Sequence, residues 1–196
     1  MSSPIKIHYK VYQGSTFKET FRWESSTKVY KPIDAIPKAA PTVVSVEAHG
    51  MPVGWRFRVT NVAGMKEINS VGENFYIASS VTDDSITING LNSLGFSAYT
   101  SGGIVEYNQP VDITNYSARM QIRERVDSDT VIDTLTTENG GILIDEELST
   151  ITINISPEKT GEYTFRTAVY SLELSRNGEV YPFLTGTLTL QREVTR

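Results

Sequence analysis

Apolar and polar residues alternate with a period of two along most of this chain, the spacing of strands that bury one face. Ile5, Ile7, Tyr9 and Val11 alternate with Lys6, His8 and Lys10. After a turn at Gln13-Gly14-Ser15, Phe17, Phe21 and Trp23 share one face of a second strand, with Glu19 on the same face. The two strands read as a hairpin. Pro32, Pro37 and Pro41 then break the pattern and mark a boundary. Five short strands follow, at 42–48, 55–60, 75–81, 85–89 and 104–107. Their Gly-rich turns predict a small barrel or rolled sheet.

Asn108-Gln109-Pro110 is a second boundary. Beyond it, Ala118, Met120 and Ile122 alternate with Arg119, Gln121 and Arg123, and Ile151, Ile153 and Ile155 alternate with Thr150, Thr152 and Asn154. Ile142 and Ile144 lie past the turn Glu138-Asn139-Gly140-Gly141. Ala168, Tyr170, Leu172 and Leu174 share a face, as do Leu184, Leu188 and Leu190. Asn177-Gly178 between those two strands is a strong hairpin signal, because both residues accept positive φ. One helical turn is expected at Ser156-Pro157-Glu158-Lys159-Thr160, capped by Ser156 and ended at Gly161.

The predicted fold is all-β. Residues 1–35 plus 108–196 form a discontinuous, immunoglobulin-like antiparallel β-sandwich, and 36–107 form an inserted small β-barrel-like module. The N-terminal hairpin either completes the sandwich or stands as a separate arm.

Composition narrows the function classes. The net charge is −5, with Lys and Arg scattered among acids, whereas a nucleic-acid binder carries a basic stripe. No apolar run approaches the length of a membrane span. The first residues, Met1-Ser2-Ser3-Pro4-Ile5-Lys6, lack the charged and apolar regions of a signal peptide. The chain contains no cysteine, which excludes disulfides and thiol catalysis and fits folding in a reducing compartment.

The chemistry-bearing residues are sparse. His8 lies on the outer face of its strand, and His49 precedes Gly50 in a turn where its expected role is a hydrogen bond that holds the turn. Asp127, Asp129 and Asp133, and likewise Asp145, Glu146 and Glu147, cluster in sequence without the spacing of a calcium loop. They read as solvated turns. Ser101-Gly102-Gly103 and Gly140-Gly141 lack the lysine and the helix of a phosphate loop. Tyr30, Tyr76, Tyr99, Tyr107 and Tyr181 are candidates for a subunit contact, a sugar site or plain packing. No catalytic, cofactor or metal residue is assigned, and no enzymatic activity or cofactor is expected.

Two sets of motifs carry a family resemblance. Lys38-Ala39-Ala40-Pro41-Thr42-Val43-Val44, His49-Gly50-Met51-Pro52, Val62-Ala63-Gly64-Met65-Lys66-Glu67-Ile68-Asn69 and Ala98-Tyr99-Thr100-Ser101-Gly102-Gly103 fall in order over residues 36–107. This order resembles a repeat of bacteriophage tail proteins that takes its name from the first catalytic cysteine half-domain of ubiquitin-activating enzymes. Without cysteine, no thioester chemistry travels with that name.

The second set is Tyr12-Gln13-Gly14-Ser15-Thr16-Phe17, then Val111-Asp112-Ile113-Thr114-Asn115-Tyr116 leading to Gln121-Ile122-Arg123. Ile151-Thr152-Ile153, Tyr170-Ser171-Leu172-Glu173-Leu174, Asn177-Gly178 and Leu184-Thr185-Gly186-Thr187-Leu188-Thr189-Leu190 follow. It resembles the N-terminal domains of upper-baseplate, tail-tip and collar proteins, and it favours joining the N-terminal strands to the sandwich. Asn115 stands where that family usually has glycine, and asparagine tolerates the left-handed turn.

The resemblance implies a structural component of a tailed-phage virion, in the tail tip, baseplate or collar, assembled in the host cytoplasm. Its partners would be copies of itself in a ring and other tail or connector proteins, with no nucleic acid and no membrane. The alternative is a carbohydrate- or receptor-binding module that recognises a host surface glycan.

Overall fold

Strands take up the apolar alternation from end to end. The computed structural model describes residues 3–192. Its first elements are β1 (Ile5–Lys6), β2 (Tyr9–Tyr12), β3 (Phe17–Arg22), β4 (Glu24–Pro32) and β5 (Thr42–Ser45). Then come β6 (Arg56–Ala63), a 3₁₀ turn (Lys66–Ile68), β7 (Tyr76–Thr82), β8 (Ser85–Ile88) and β9 (Ser101–Pro110). The remainder is β10 (Ser117–Arg123), β11 (Val131–Thr136), β12 (Ile142–Asp145), β13 (Thr150–Ile155), α1 (Pro157–Glu162), β14 (Thr167–Arg176) and β15 (Glu179–Gln191). Two compact units result: residues 3–22, 113–146 and 150–192 in one, and 23–112 with 147–149 in the other.

The first unit is a β-sandwich of two sheets. One sheet runs β1-β15-β14-β10-β11, with β2 also on β15, and the other runs β12-β13-β3. The alternating apolar residues meet between the sheets. Met120, Ile122, Leu135, Ile151, Ile153, Ile155, Leu172 and Leu174 are fully buried there. An aromatic cluster bridges the layers, with Tyr9 5.3 Å from Phe17 and 5.9 Å from Tyr170, and Phe21 6.4 Å from Phe183.

The expected N-terminal hairpin does not form. β2 pairs in parallel with β15, Tyr9 opposite Leu188, whereas β3 pairs with β13, Phe17 opposite Ile155. The turn between them crosses from one sheet to the other, and α1 holds it. Gln13 Nε2 donates to the carbonyls of Gly161 and Tyr163 at 3.1 and 3.0 Å, and Thr160 Oγ1 donates to Ser15 O at 2.8 Å. The helix begins as its cap predicts, with Ser156 accepting from Lys159 N–H and Pro157 in the first turn, and runs through Gly161 to Glu162.

The parallel pairing depends on one close approach. Ile5 and Lys6 pair with Leu184 and Thr185, and pairing resumes at Tyr9 opposite Leu188. Between these stretches the Ile7 carbonyl lies over Gly186, where a Cβ would stand 1.7 Å from its oxygen. Tyr170 Oη donates to the same oxygen at 3.0 Å. Gly186 therefore has a steric role that no other residue fills.

The second unit is one six-stranded sheet in the order β4-β9-β6-β7-β8-β5. Trp55, Phe57, Val59, Met65, Ile68 and Ile86 are buried in its core. Of the small barrel or rolled sheet expected from sequence, it takes the open, rolled-sheet form. Its end strands meet only where the chain leaving β4 bridges Ala35 to Ser45, with Asp34 N–H donating to Ser45 O and Ser45 N–H to Ala35 O, both at 2.9 Å. Pro32 and Pro37 flank that bridge and lack the donors that would extend it.

The unit boundaries also lie outside those drawn from sequence. Residues 23–35 and 108–112, read as sandwich, belong to this unit because β4 pairs along β9 from Glu24–Pro110 to Pro32–Ile104. The chain leaves the sandwich after β3 and rejoins it before β10.

Replacing Gly186 with alanine is expected to destabilise the protein by more than about 3 kcal/mol, as severe backbone clashes do, measured by urea unfolding. An unchanged midpoint would show that the N-terminal strand is dispensable. A pH effect follows from the same tyrosine. Burial pushes the Tyr170 phenol up to about 12 and raises Tyr9 and Tyr163 as well. The folded chain thus holds these protons more tightly than the unfolded chain, whose tyrosines titrate near about 10. Their contribution is complete below about pH 10 and is lost as pH rises through the folded values. Unfolding free energy should decline above that pH, and less steeply in Tyr170→Phe.

Candidate functional site

The motifs of the insertion resolve into clamps between side chain and backbone. Gly64, at φ +81°, lies so close to the next segment that a Cβ would stand 2.1 Å from Ala98 O. Two residues on, the 3₁₀ turn buries Met65 and Ile68, and Asn69 closes it. Asn69 Oδ1 accepts from Val62 N–H at 2.9 Å and Nδ2 donates to Val62 O at 3.1 Å. Ser93 grips Ala39 in the same way, accepting from its N–H and donating to its carbonyl.

His49 is buried at 3% exposure. Its Nδ1 accepts from Met51 N–H at 3.0 Å and its Nε2 donates to Ser85 O at 3.2 Å. It holds its turn, as the sequence anticipates, and both ring nitrogens are used in doing so.

The tyrosine candidates do not gather. Tyr76 Oη donates to Ile68 O at 2.9 Å, Tyr99 Oη to Gly102 O and Ile33 O at 2.9 and 3.1 Å, and Tyr107 Oη to His49 O. These three brace the insertion. Tyr181 bonds the Glu179 carboxylate, which pushes its phenol up to about 12, and sits 5.8 Å from the Tyr116 ring. Of the five, Tyr30 is the exposed one, at 60%.

The acidic residues are likewise dispersed. Asp133 accepts from Lys159 Nζ at 2.8 Å and Tyr163 Oη at 2.7 Å, tying α1 to β11. Asp127 faces Arg125 at 3.3 Å. Glu146 accepts from the N–H of Asn115, which adopts φ 60°. Among the described residues, no three His, Asp or Glu side chains are placed to hold a metal ion.

A cleft of about 600 Å³ lies elsewhere, on the outer face of the larger sandwich sheet. Strand register builds it from two adjacent rows. Lys6, Thr185, Ser171 and Gln121 lie opposite one another across four strands. Beside them, Thr187, Val169 and Arg123 form a second row, with His8 sharing a hydrogen bond of 2.7 Å with Thr187 Oγ1. Exposed Val126, in the turn after β10, adds an apolar rim.

The cleft lining carries Lys6, His8 and Arg123 but no carboxylate. Arg123 donates to Ser128 O and to Gln121 Oε1. Sequence reading placed Lys6, His8, Gln121 and Arg123 on outward faces without relating them. Their meeting depends on the parallel pairing of the N-terminal strand, for which no local signal exists.

No family model matches the chain, and no curated protein matches its sequence. No helix among the described residues is long and apolar enough to cross a membrane.

Removing the His49 side chain deletes its hydrogen bonds to the Met51 N–H and the Ser85 carbonyl. His49→Ala and Asn69→Ala are each expected to cost about 1–3 kcal/mol in chemical denaturation. Wild-type midpoints in both would refute the clamp role.

Proposed function

We propose that this chain is a structural component of a tailed-phage virion, in the tail tip, baseplate or collar, acting by ring-like self-association and docking to other tail proteins. The observation that carries the reading is the order of the outer motifs along one sandwich. Tyr12–Phe17 spans the crossing from β2 to β3, Gln121-Ile122-Arg123 ends β10, and Ile151-Thr152-Ile153 lies in β13. Tyr170–Leu174 lies in β14, Asn177-Gly178 turns the hairpin, and Leu184–Leu190 lies in β15. The motif set that resembles baseplate and collar domains thus falls along one sandwich rather than on scattered strands.

The buried chemistry agrees with such a role. The histidine, asparagine and tyrosine side chains that the motifs single out satisfy backbone groups, which is work done to hold a shape. Surfaces for assembly are present. β11 and β12 each end a sheet, with one side of their backbone unpaired, and such edges pair readily with another chain. In the insertion, Val71 and Ile77 are 74% and 52% exposed beside Phe75, whose ring carries the Arg56 guanidinium at 5.2 Å. Burying apolar area of this kind stabilises subunit contacts.

Gold-labelled antibody on purified particles is the direct test. Label in a ring at the tail tip, baseplate or collar is the expected image. Particles without label, from cells that contain the protein, would reject the reading. A double substitution, Val71→Asp with Ile77→Asp, is expected to reduce incorporation into particles while leaving the thermal midpoint of the free chain unchanged.

A further inference from the structure

We propose that the cleft on the outer face of the larger sandwich sheet binds a phosphate ester of a sugar or polyol. This goes beyond the assembly role and does not depend on it.

Charge is the first argument. The chain has 23 acidic and 18 basic residues, yet the cleft lining holds Lys6, His8 and Arg123 with no acid among them. Among the described residues, neither Lys6 nor Arg123 forms an ion pair. Arg123 uses only part of its five-donor fork on Ser128 and Gln121. Such a guanidinium, half-buried and without a carboxylate, is suited to a phosphate.

Geometry is the second. Lys6 and Arg123 stand on opposite sides of the cleft, on β1 and β10, with β15 and β14 between them. Three strand spacings, about 14 Å, separate β1 from β10, and both side chains are long enough to reach inward. The floor between them is made of small hydroxyl residues, Ser171, Thr185 and Thr187. Thr185 Oγ1 donates to Tyr170 O, which leaves its lone pairs for a ligand hydroxyl. Gln121 Oε1 accepts from Arg123, which makes its amide nitrogen the donor end toward a ligand. The volume falls within the range of small-molecule sites.

What the cleft lacks selects the ligand class. It offers no exposed aromatic platform, since the Tyr170 side chain is buried toward the core, so a neutral sugar has no ring face to stack on. β15, β14 and β10 are paired on both sides, so the cleft floor offers an extended peptide no backbone edge to join. An anionic head between the cations, carried on a hydroxylated body over the threonines, engages both cations and the hydroxyl floor.

The test is a titration of the ¹⁵N-labelled full chain, followed by NMR, with glucose 1-phosphate, inorganic phosphate, glucose and a polyglutamate peptide. Glucose 1-phosphate is expected to shift the amides of Ser171, Thr187 and Arg123, and to bind about tenfold or more tightly than inorganic phosphate, with glucose inert. Lys6→Gln and Arg123→Gln should each weaken it about tenfold, the worth of one charge-assisted contact. Lys6 makes no hydrogen bond with its side chain among those described, so its variant separates binding from folding. The proposal is overturned if inorganic phosphate or the peptide binds as tightly as the ester. It is equally overturned if glucose gives the same shifts, if no ester binding occurs, or if Lys6→Gln leaves affinity unchanged.

Discussion

The sandwich depends on the Ile7 carbonyl fitting between Gly186 and the Tyr170 hydroxyl. Parallel pairing of the first strand with the last closes the larger sheet at β15 and joins segments nearly a whole chain apart. It requires the N-terminal segment to pass over β15 with no side chain in the way, which glycine alone permits. Tyr170 then satisfies the carbonyl that the interrupted ladder leaves over. Two consequences follow from this one contact. The aromatic cluster around Tyr9 is brought between the sheets, and Lys6 and His8 are delivered to the rim of the cleft.

The insertion meets a different constraint. A single sheet of short strands, connected by loops rich in glycine and proline, leaves many backbone groups without ladder partners. Here polar side chains supply those partners, through His49, Asn69, Ser93, Tyr76, Tyr99 and Tyr107. Buried polar groups that are fully paired make a fold specific, because each substitution strands a donor or acceptor. Residues that look like chemistry in the sequence are therefore the frame of the unit. The exposed chemistry lies on the sandwich, where threonine and serine on outward positions carry no pattern of their own.

Much of the fold is readable locally. Alternation marks the buried faces of β10, β13, β14 and β15, the Asn177-Gly178 turn marks its hairpin, and Ser156-Pro157 marks the helix start. Each of these signals involves neighbours within a few residues. The errors share the opposite character. The N-terminal hairpin was expected because adjacent strands usually pair, but the helix α1 and the Gln13 side chain draw the turn across the sandwich. The choice between a barrel and a rolled sheet, left open in the sequence, is settled at a single bridge, because prolines remove the donors that would have extended it. The boundary at 35/36 followed the prolines, whereas β4 before them pairs with β9 over most of its length.

The amino-acid sequence by itself determined which faces of the strands are apolar, where the tight turns fall, and that no thiol chemistry exists in this chain. Those properties follow from side-chain volume, polarity and φ preference, which act over a few residues. Only the tertiary structure decided which strands pair, that first and last lie side by side, and that Lys6 and Arg123 line one cleft on either side of a floor of hydroxyls. Pairing is a competition among distant partners, settled by burial of both faces at once, and strand register then places outward side chains that no local rule connects.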